Sequence, residues 1–244
     1  MDSLERLRGE TCGCRRCPHL VEWRERVGAE RRAAYRDQSY WARPVPGFGD
    51  PAARILVLGL APAAHGANRT GRLFTGDRSG DWLFRAMHRA GLADRAESVS
   101  VDDGLTLFDA WVSAAVRCAP PDNAPTPAER DTCRPFLQRE LVLLRRLDVV
   151  VCLGAFAHGV ACGEFGVRPR PRFGHLVETP TAAGPTLLGS FHPSQQNTFT
   201  GRLTEEMFDA VFARAVELVG LRRSEVAGDR IASRSSQRPQ GRQT

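Results

Sequence analysis

The residues best suited to chemistry are gathered in two segments, each entered from an apolar run. The first is Gly59-Leu-Ala-Pro-Ala-Ala-His-Gly-Ala-Asn-Arg-Thr-Gly-Arg-Leu-Phe-Thr-Gly-Asp77, which follows Ile55-Leu-Val-Leu58. It combines backbone freedom at its glycines with Asn68, Arg69, Arg72, Phe74 and Asp77 as groups able to bind or react. The second is His192-Pro-Ser-Gln-Gln-Asn-Thr-Phe-Thr-Gly-Arg202, entered from the run Thr186–Phe191. His192 can donate to an anion or a carbonyl, and Ser194 with nearby backbone amides can hold a phosphate. Loops leaving the carboxyl ends of buried strands form the binding crevices of open α/β sheets. A third loop, 118–125, leaves another strand end, so all three are expected to converge on one crevice. His65 and His175 are read as structural.

The cysteines suggest a second kind of chemistry. Seven Cys in a chain read as cytoplasmic are not expected to form a disulfide framework. Cys152 lies in the run Val-Val-Val-Cys-Leu and Cys162 in a helical stretch, so both read as small core residues. Cys14-x2-Cys17 has metal-ligand spacing in an Arg-rich turn, with Cys12 as a spare. Cys118 and Cys133 flank Ala119-Pro-Pro-Asp-Asn-Ala-Pro and the first turns of the following helix. Two ligands from each segment would pin the loop to the N-terminal turn. Four thiolates suit tetrahedral zinc or an iron–sulfur cluster, and spacing alone does not separate them.

Composition narrows the mechanisms. All 34 basic residues are Arg and there is no Lys. That excludes a Walker-type phosphate lysine and a lysine Schiff base. Of the net charge of +6, the segment 221–244 carries +4, from six Arg against Glu225 and Asp229, which leaves only +2 for the rest. This Arg-, Ser- and Gln-rich tail reads as disordered, with attraction to phosphate as the alternative. No apolar run approaches the roughly 18 residues of a membrane span, and Met-Asp-Ser-Leu-Glu-Arg is not a signal pattern. A cytoplasmic protein is expected.

Four apolar runs that must hold these loops read as buried parallel strands: Ile55–Leu60, Ala110–Val116, Val149–Leu153 and Thr186–Phe191. Helical patterns lie between and after them. Asp81–Leu92 carries apolar residues at helical spacing. Thr126-Pro127-Ala128-Glu129 is a capping box opening a helix to about Leu147. A shorter helix follows Gly154, and Thr204 caps a last one. Strands alternating with helices imply a mostly parallel sheet covered on both faces. Residues 10–50 form an N-terminal extension, expected to be helical from Leu20 to Tyr35, within one domain spanning 1–220.

Taken together, these residues resemble the uracil-DNA glycosylase superfamily, specifically its family 5 (type b) enzymes, over about residues 10–220. The segment from Gly59 to Arg72 is similar to that family's first motif, and His192-Pro-Ser-Gln-Gln-Asn-Thr to its second. Cys14, Cys17, Cys118 and Cys133 match four cysteines that hold a structural [4Fe–4S] cluster there. The resemblance implies a three-layer α/β/α sandwich around a four-stranded mostly parallel sheet, with an iron–sulfur-pinned N-terminal extension. It implies a monomeric, monofunctional enzyme that hydrolyses the N-glycosidic bond of uracil in DNA, after the nucleotide is flipped out of the stack.

On the same footing, Phe74 would stack on the flipped base, with Gly59, Ala61 and Asn197 as further substrate contacts. His192, Asp77 and Asn123 would be catalytic. Arg72, Ser194, Gln195 and Arg202 would contact the DNA, with Arg69 and Arg78 adding charge. Two positions depart from relatives: Leu60 stands where family 4 has a carboxylate, and Ala114 where uracil-selective members have an Asn. Water handling would pass to Asp77 and Asn123, and discrimination should weaken toward other deaminated bases such as hypoxanthine. The alternative is a binder of damaged or single-stranded DNA with a cluster and no glycosylase activity.

Overall fold

The computed structural model describes residues 2–182 and 184–220. Two helices open it, α1 (Leu4–Cys12) and α2 (Pro18–Glu30), followed by a 3-10 turn at Ala33–Tyr35. The expected helix over 20–35 therefore begins earlier, with Pro18 in the first turn. It stops at Arg31, whose φ of 54° a continuing helix cannot hold. Next come β1 (Phe48–Gly49), β2 (Ile55–Gly59), the short α3 (Ala67–Thr70) and α4 (Arg78–Arg89). Then follow β3 (Ala110–Ala114), α5 (Pro127–Leu143), β4 (Val149–Leu153) and α6 (Ala155–Glu164). The chain continues with β5 (Glu178–Thr179), β6 (Thr186–Ser190), α7 (Gln195–Phe199) and α8 (Glu205–Leu218).

The sheet order is β1-β3-β2-β4-β6-β5. The inner four strands are the four apolar runs, and all pair in parallel. Their alternation explains why they read as continuous apolar stretches: Ile55 and Val57 enter one core, Leu56 and Leu58 the other. α4 and α8 cover the first face through Leu83, Phe84, Phe208 and Phe212. α5 and α6 cover the second through Leu137, Ala157 and Ala161. This is the three-layer arrangement expected, but the sheet has six strands rather than four. The added edge strands, β1 and β5, are antiparallel and two residues long, too short for any alternation to show in sequence.

Caps set the helix boundaries. Thr126 and Glu129 form the reciprocal capping box of α5, which ends at Leu143 rather than near Leu147. The carboxylate of Asp77 accepts from the N–H of Gly80 at 3.0 Å and starts α4 at Arg78, ahead of the expected Asp81. Thr204 caps α8 as expected. The expected disorder of 221–244 lies outside the described residues. Among the described residues no helix is long and apolar enough to cross a membrane.

Arg72, expected to contact DNA, faces inward. Arg72 is buried, at 5% exposure, and forms a bidentate pair with Asp103 at 2.5 and 2.8 Å while also donating to Thr75 and Ser98. It braces the first motif from within, its guanidinium committed to Asp103, Thr75 and Ser98 rather than presented to a phosphate. Its guanidinium and three backbone N–H groups, those of Leu105, Val99 and Ser100, hold the Asp103 carboxyl well below the usual carboxylate range. A depressed folded-state pKa contributes stability above the ordinary value of 3.8 and loses it as pH falls from there through the folded value. Denaturant melts of wild type and Asp103→Asn should therefore differ by a constant amount near neutral pH and converge in acid. A gap that is unchanged in acid would contradict this pairing.

Candidate active site

The chain turns back across β2 on its way from β3 to β4, so the topological switch point of the sheet lies between β2 and β4. Gly59 ends β2 there, and Gly154 follows β4 with φ of 93°. Gly59 needs glycine because the site crowds it, and Gly154 because of its positive φ. A β-carbon on Gly59 would sit 2.7 Å from Cζ of Phe74. One on Gly154 would sit 3.6 Å from the β-carbon of His192. Phe74 is itself held with φ of 53°, an uncommon backbone state for an aromatic residue. Its ring faces that of His192 at 6.1 Å between centroids, tilted by 33°. The two motifs therefore meet as one wall: a flat aromatic surface beside an imidazole.

His192 is positioned from behind. The Asn197 side-chain N–H donates to the His192 carbonyl oxygen at 2.8 Å. Asn197 was expected to touch substrate; its amide nitrogen instead ties the loop together. Ser194 likewise caps α7, accepting from the Asn197 N–H at 3.4 Å. Burial pushes the His192 pKa down from 6.5 to about 4, so at neutral pH the ring is a neutral hydrogen-bond donor and acceptor. His175 has the structural role expected of it. Its Nδ1 accepts from the Phe191 N–H and its Nε2 lies 3.2 Å from the Met207 carbonyl oxygen, which fixes the end of β6.

Asp77 lies at the far end of the first motif. Burial raises its pKa above the ordinary value. A β-carbon on Gly66 would collide with its carboxylate, so glycine at that position leaves room for the acid. One of its oxygens is committed to the cap of α4, and the other faces Gly66. Asn123, by contrast, is exposed in a 3-10 turn at Pro121–Asn123, with φ of 55°. No hydrogen bond from its side chain to Asp77 or His192 is formed. Gln195 and Arg202 are exposed, and the Arg202 guanidinium lies 4.7 Å over the Phe191 ring. Ala61 packs toward the cysteines rather than toward Phe74.

At the crevice rim the charge of Arg78 was expected, whereas its aromatic partner Phe199 and the glycine at 154 were not. Arg78, directly after Asp77, lies 4.4 Å over the ring of Phe199, which is 68% exposed. Gly154 forms the floor beside His192; the signal available for it was a glycine closing the apolar run at 149–153.

Cys14, Cys17, Cys118 and Cys133 line one small cavity, with Cys12 outside it. Among the described residues, no group of three or more His, Cys, Asp or Glu is arranged to hold a single metal ion. Two donors nonetheless reach the sulfurs. Arg24 is 2% exposed and donates from Nη1 to Cys118 Sγ at 2.9 Å, while its Nε has no partner. The Arg117 backbone N–H donates to Cys133 Sγ at 3.3 Å. Burial pushes the Cys118 thiol up to about 12, with the Arg24 guanidinium opposing. A buried cation against a buried thiol fits a site whose sulfurs become thiolates on binding metal.

A family model described as the uracil DNA glycosylase superfamily matches residues 46–215. The chain is 56% identical over 211 residues to a type-5 uracil-DNA glycosylase of Mycobacterium tuberculosis, covering 85% of this chain and 79% of that one. It is 52% identical over 209 residues to a type-5 uracil-DNA glycosylase of Thermus thermophilus, covering 85% and 94%. A type-4 uracil-DNA glycosylase of Archaeoglobus fulgidus is more distant, 29% identical over 159 residues.

Proposed function

The chain belongs to the uracil DNA glycosylase superfamily, and on that premise we propose that it hydrolyses the N-glycosidic bond of uracil in DNA and so opens base excision repair. The observation that carries this reading is the wall made by Phe74 and His192 at the switch point of the sheet. A base extruded from the duplex stacks on Phe74. The C1′–N bond then breaks with its electron pair going to the base. His192, neutral because desolvation lowers its pKa, donates to the base oxygen on which that charge collects. Asp77 orients the water that adds to C1′ and takes up its proton, a role suited to a carboxyl whose pKa burial raises. Asn123, on the exposed turn after β3, would assist it in holding the water.

Gly59→Ala tests the stacking wall. Its β-carbon would push the Phe74 ring from its place, and KM for uracil-containing duplex should rise roughly tenfold, the worth of a stacked base. An unchanged KM in a folded variant would remove Phe74 from base binding.

Ala114 stands at the end of β3, where its methyl offers no amide to a base edge. Excision should therefore extend to hypoxanthine. A panel of uracil- and hypoxanthine-containing duplexes, treated with alkali after incubation, reads both activities. Binding without scission of either would favour the DNA-binding alternative.

Cys14, Cys17, Cys118 and Cys133 are the residues to hold a [4Fe–4S] cluster, which when bound would staple the N-terminal helices to the loop after β3. Anaerobically purified protein should contain iron and acid-labile sulfide and absorb broadly in the visible blue. Cys118→Ala should lose both. Stoichiometric zinc in a colourless protein would contradict this assignment.

A further inference from the structure

A second cavity, besides the one at the cysteines, opens near the Phe74–His192 wall. It has a volume of about 290 Å³ and lies between α5 and α6, with Ala115, Ala155 and Phe156 along its inner side. Its inner edge adjoins residues of the Phe74–His192 wall. Ala115 donates its N–H to the carbonyl of Gly59 at 3.0 Å, and Ala155 follows Gly154, the glycine beside His192. The cavity therefore faces the same carboxyl edge of the sheet from which the two motifs emerge.

Its charges are unequal. Arg130, Arg134 and Arg170 line it, against Asp131 and Glu164. Both acids are already satisfied. Asp131 accepts from Arg130 through both oxygens at 2.8 and 3.1 Å. Glu164 accepts from Arg134 at 2.6 Å and from Gln138 at 3.0 Å. Arg170 is the cation left over: it makes no hydrogen bond or ion pair with any described residue. The residue is exposed. Its guanidinium lies across α6 at Gly159, where a β-carbon would stand 3.0 Å from Nη1. Glycine at that position lets the guanidinium lie against the helix backbone, facing the cavity.

We infer that this cavity is a phosphate-contact subsite for the DNA strand that delivers the base, with Arg170 as the residue that grips a backbone phosphate. The inference rests on the DNA reading above. A planar guanidinium with unused donors matches the non-bridging oxygens of a phosphodiester. The neighbouring ion pairs of Arg130 and Arg134 leave the cavity with a surplus of one positive charge, and the apolar floor at Phe156 and Ala155 can carry the sugar. Arg170 is a DNA-positioning residue and has no part in breaking the bond.

The test is the salt dependence of binding by the full chain to a uracil-free duplex of fixed length, measured by fluorescence anisotropy across a range of NaCl concentrations. Each phosphate contact adds about 0.9 to the slope of log affinity against log salt. Arg170→Ala should lower the slope by about one and weaken binding roughly threefold to tenfold near 0.1 M salt. Arg170→Lys should recover most of the slope. Arg145→Ala is the control: it removes the same charge from the exposed segment between α5 and β4, on the opposite edge of the sheet, and should leave the slope unchanged. A wild-type slope in Arg170→Ala, or an equal loss in both alanine variants, would overturn the subsite. A wild-type chain that binds no DNA at low salt would overturn the DNA reading together with it.

Discussion

Replacing His192 by alanine should slow single-turnover uracil excision by about 10² to 10³, or roughly 2.7–4 kcal/mol, the cost of removing one preorganised donor from a site of developing negative charge. The expectation follows from three observations. The ring faces Phe74, where the base would lie. Its backbone is anchored through Asn197. Burial holds its pKa at about 4, so it donates without first needing to be protonated. Protonation of His192 should then leave the rate unaffected through the neutral range and appear only in acid. A donor that acts on the departing base also predicts that substrate binding survives in His192→Ala, with the loss confined to the chemical step. A loss in affinity alone would place His192 in binding and not in the reaction.

The second large effect is expected at Asp77, where capping and chemistry must be separated. Alanine removes both the carboxylate and the cap of α4, and the lost cap alone costs about 1 kcal/mol of stability. Asparagine caps a helix about as well as aspartate, so Asp77→Asn keeps the cap and discards only the base. We expect Asp77→Asn to melt close to wild type and to lose about 10²-fold or more in rate, within the range for a positioned general base. Because burial raises the Asp77 pKa, the acid limb of the wild-type pH profile should lie above the ordinary carboxyl value and vanish in Asp77→Asn. An Asp77→Asn enzyme of full activity would move the water-handling role elsewhere in the crevice.

How much of this was legible in the sequence differs from residue to residue. The inner strands were readable because both of their faces are buried, which leaves continuous runs such as Val149–Leu153. The capping box at Thr126 was readable because both of its partners lie within four residues. The edge strands β1 and β5 were not, since two residues carry no period. Arg72 misled for a related reason. An arginine in a Gly-rich loop has the residue type of a phosphate ligand, and its true partner, Asp103, lies 31 residues away with nothing local to announce it. Phe74 and His192 were each singled out by type and position. Their contact depends on the order of the strands, which brings β2 and β4 together and places β6 next to β4.

Asn123 shows the remaining gap. Its type suits water handling, but its turn is exposed, with two consecutive residues at positive φ. Sequence conveys the chemical capacity of such a residue and leaves its distance from the reacting atoms undetermined.

The most direct measurement is incubation of the full chain with a duplex bearing one uracil, followed by assay for free uracil and for strand scission before and after alkali. Monofunctional uracil excision predicts free uracil, an intact strand before alkali and a single cut at the uracil position after it. With no lysine in the chain to form a Schiff base, the enzyme should stop at the abasic site. No free uracil, or scission without alkali, would contradict it.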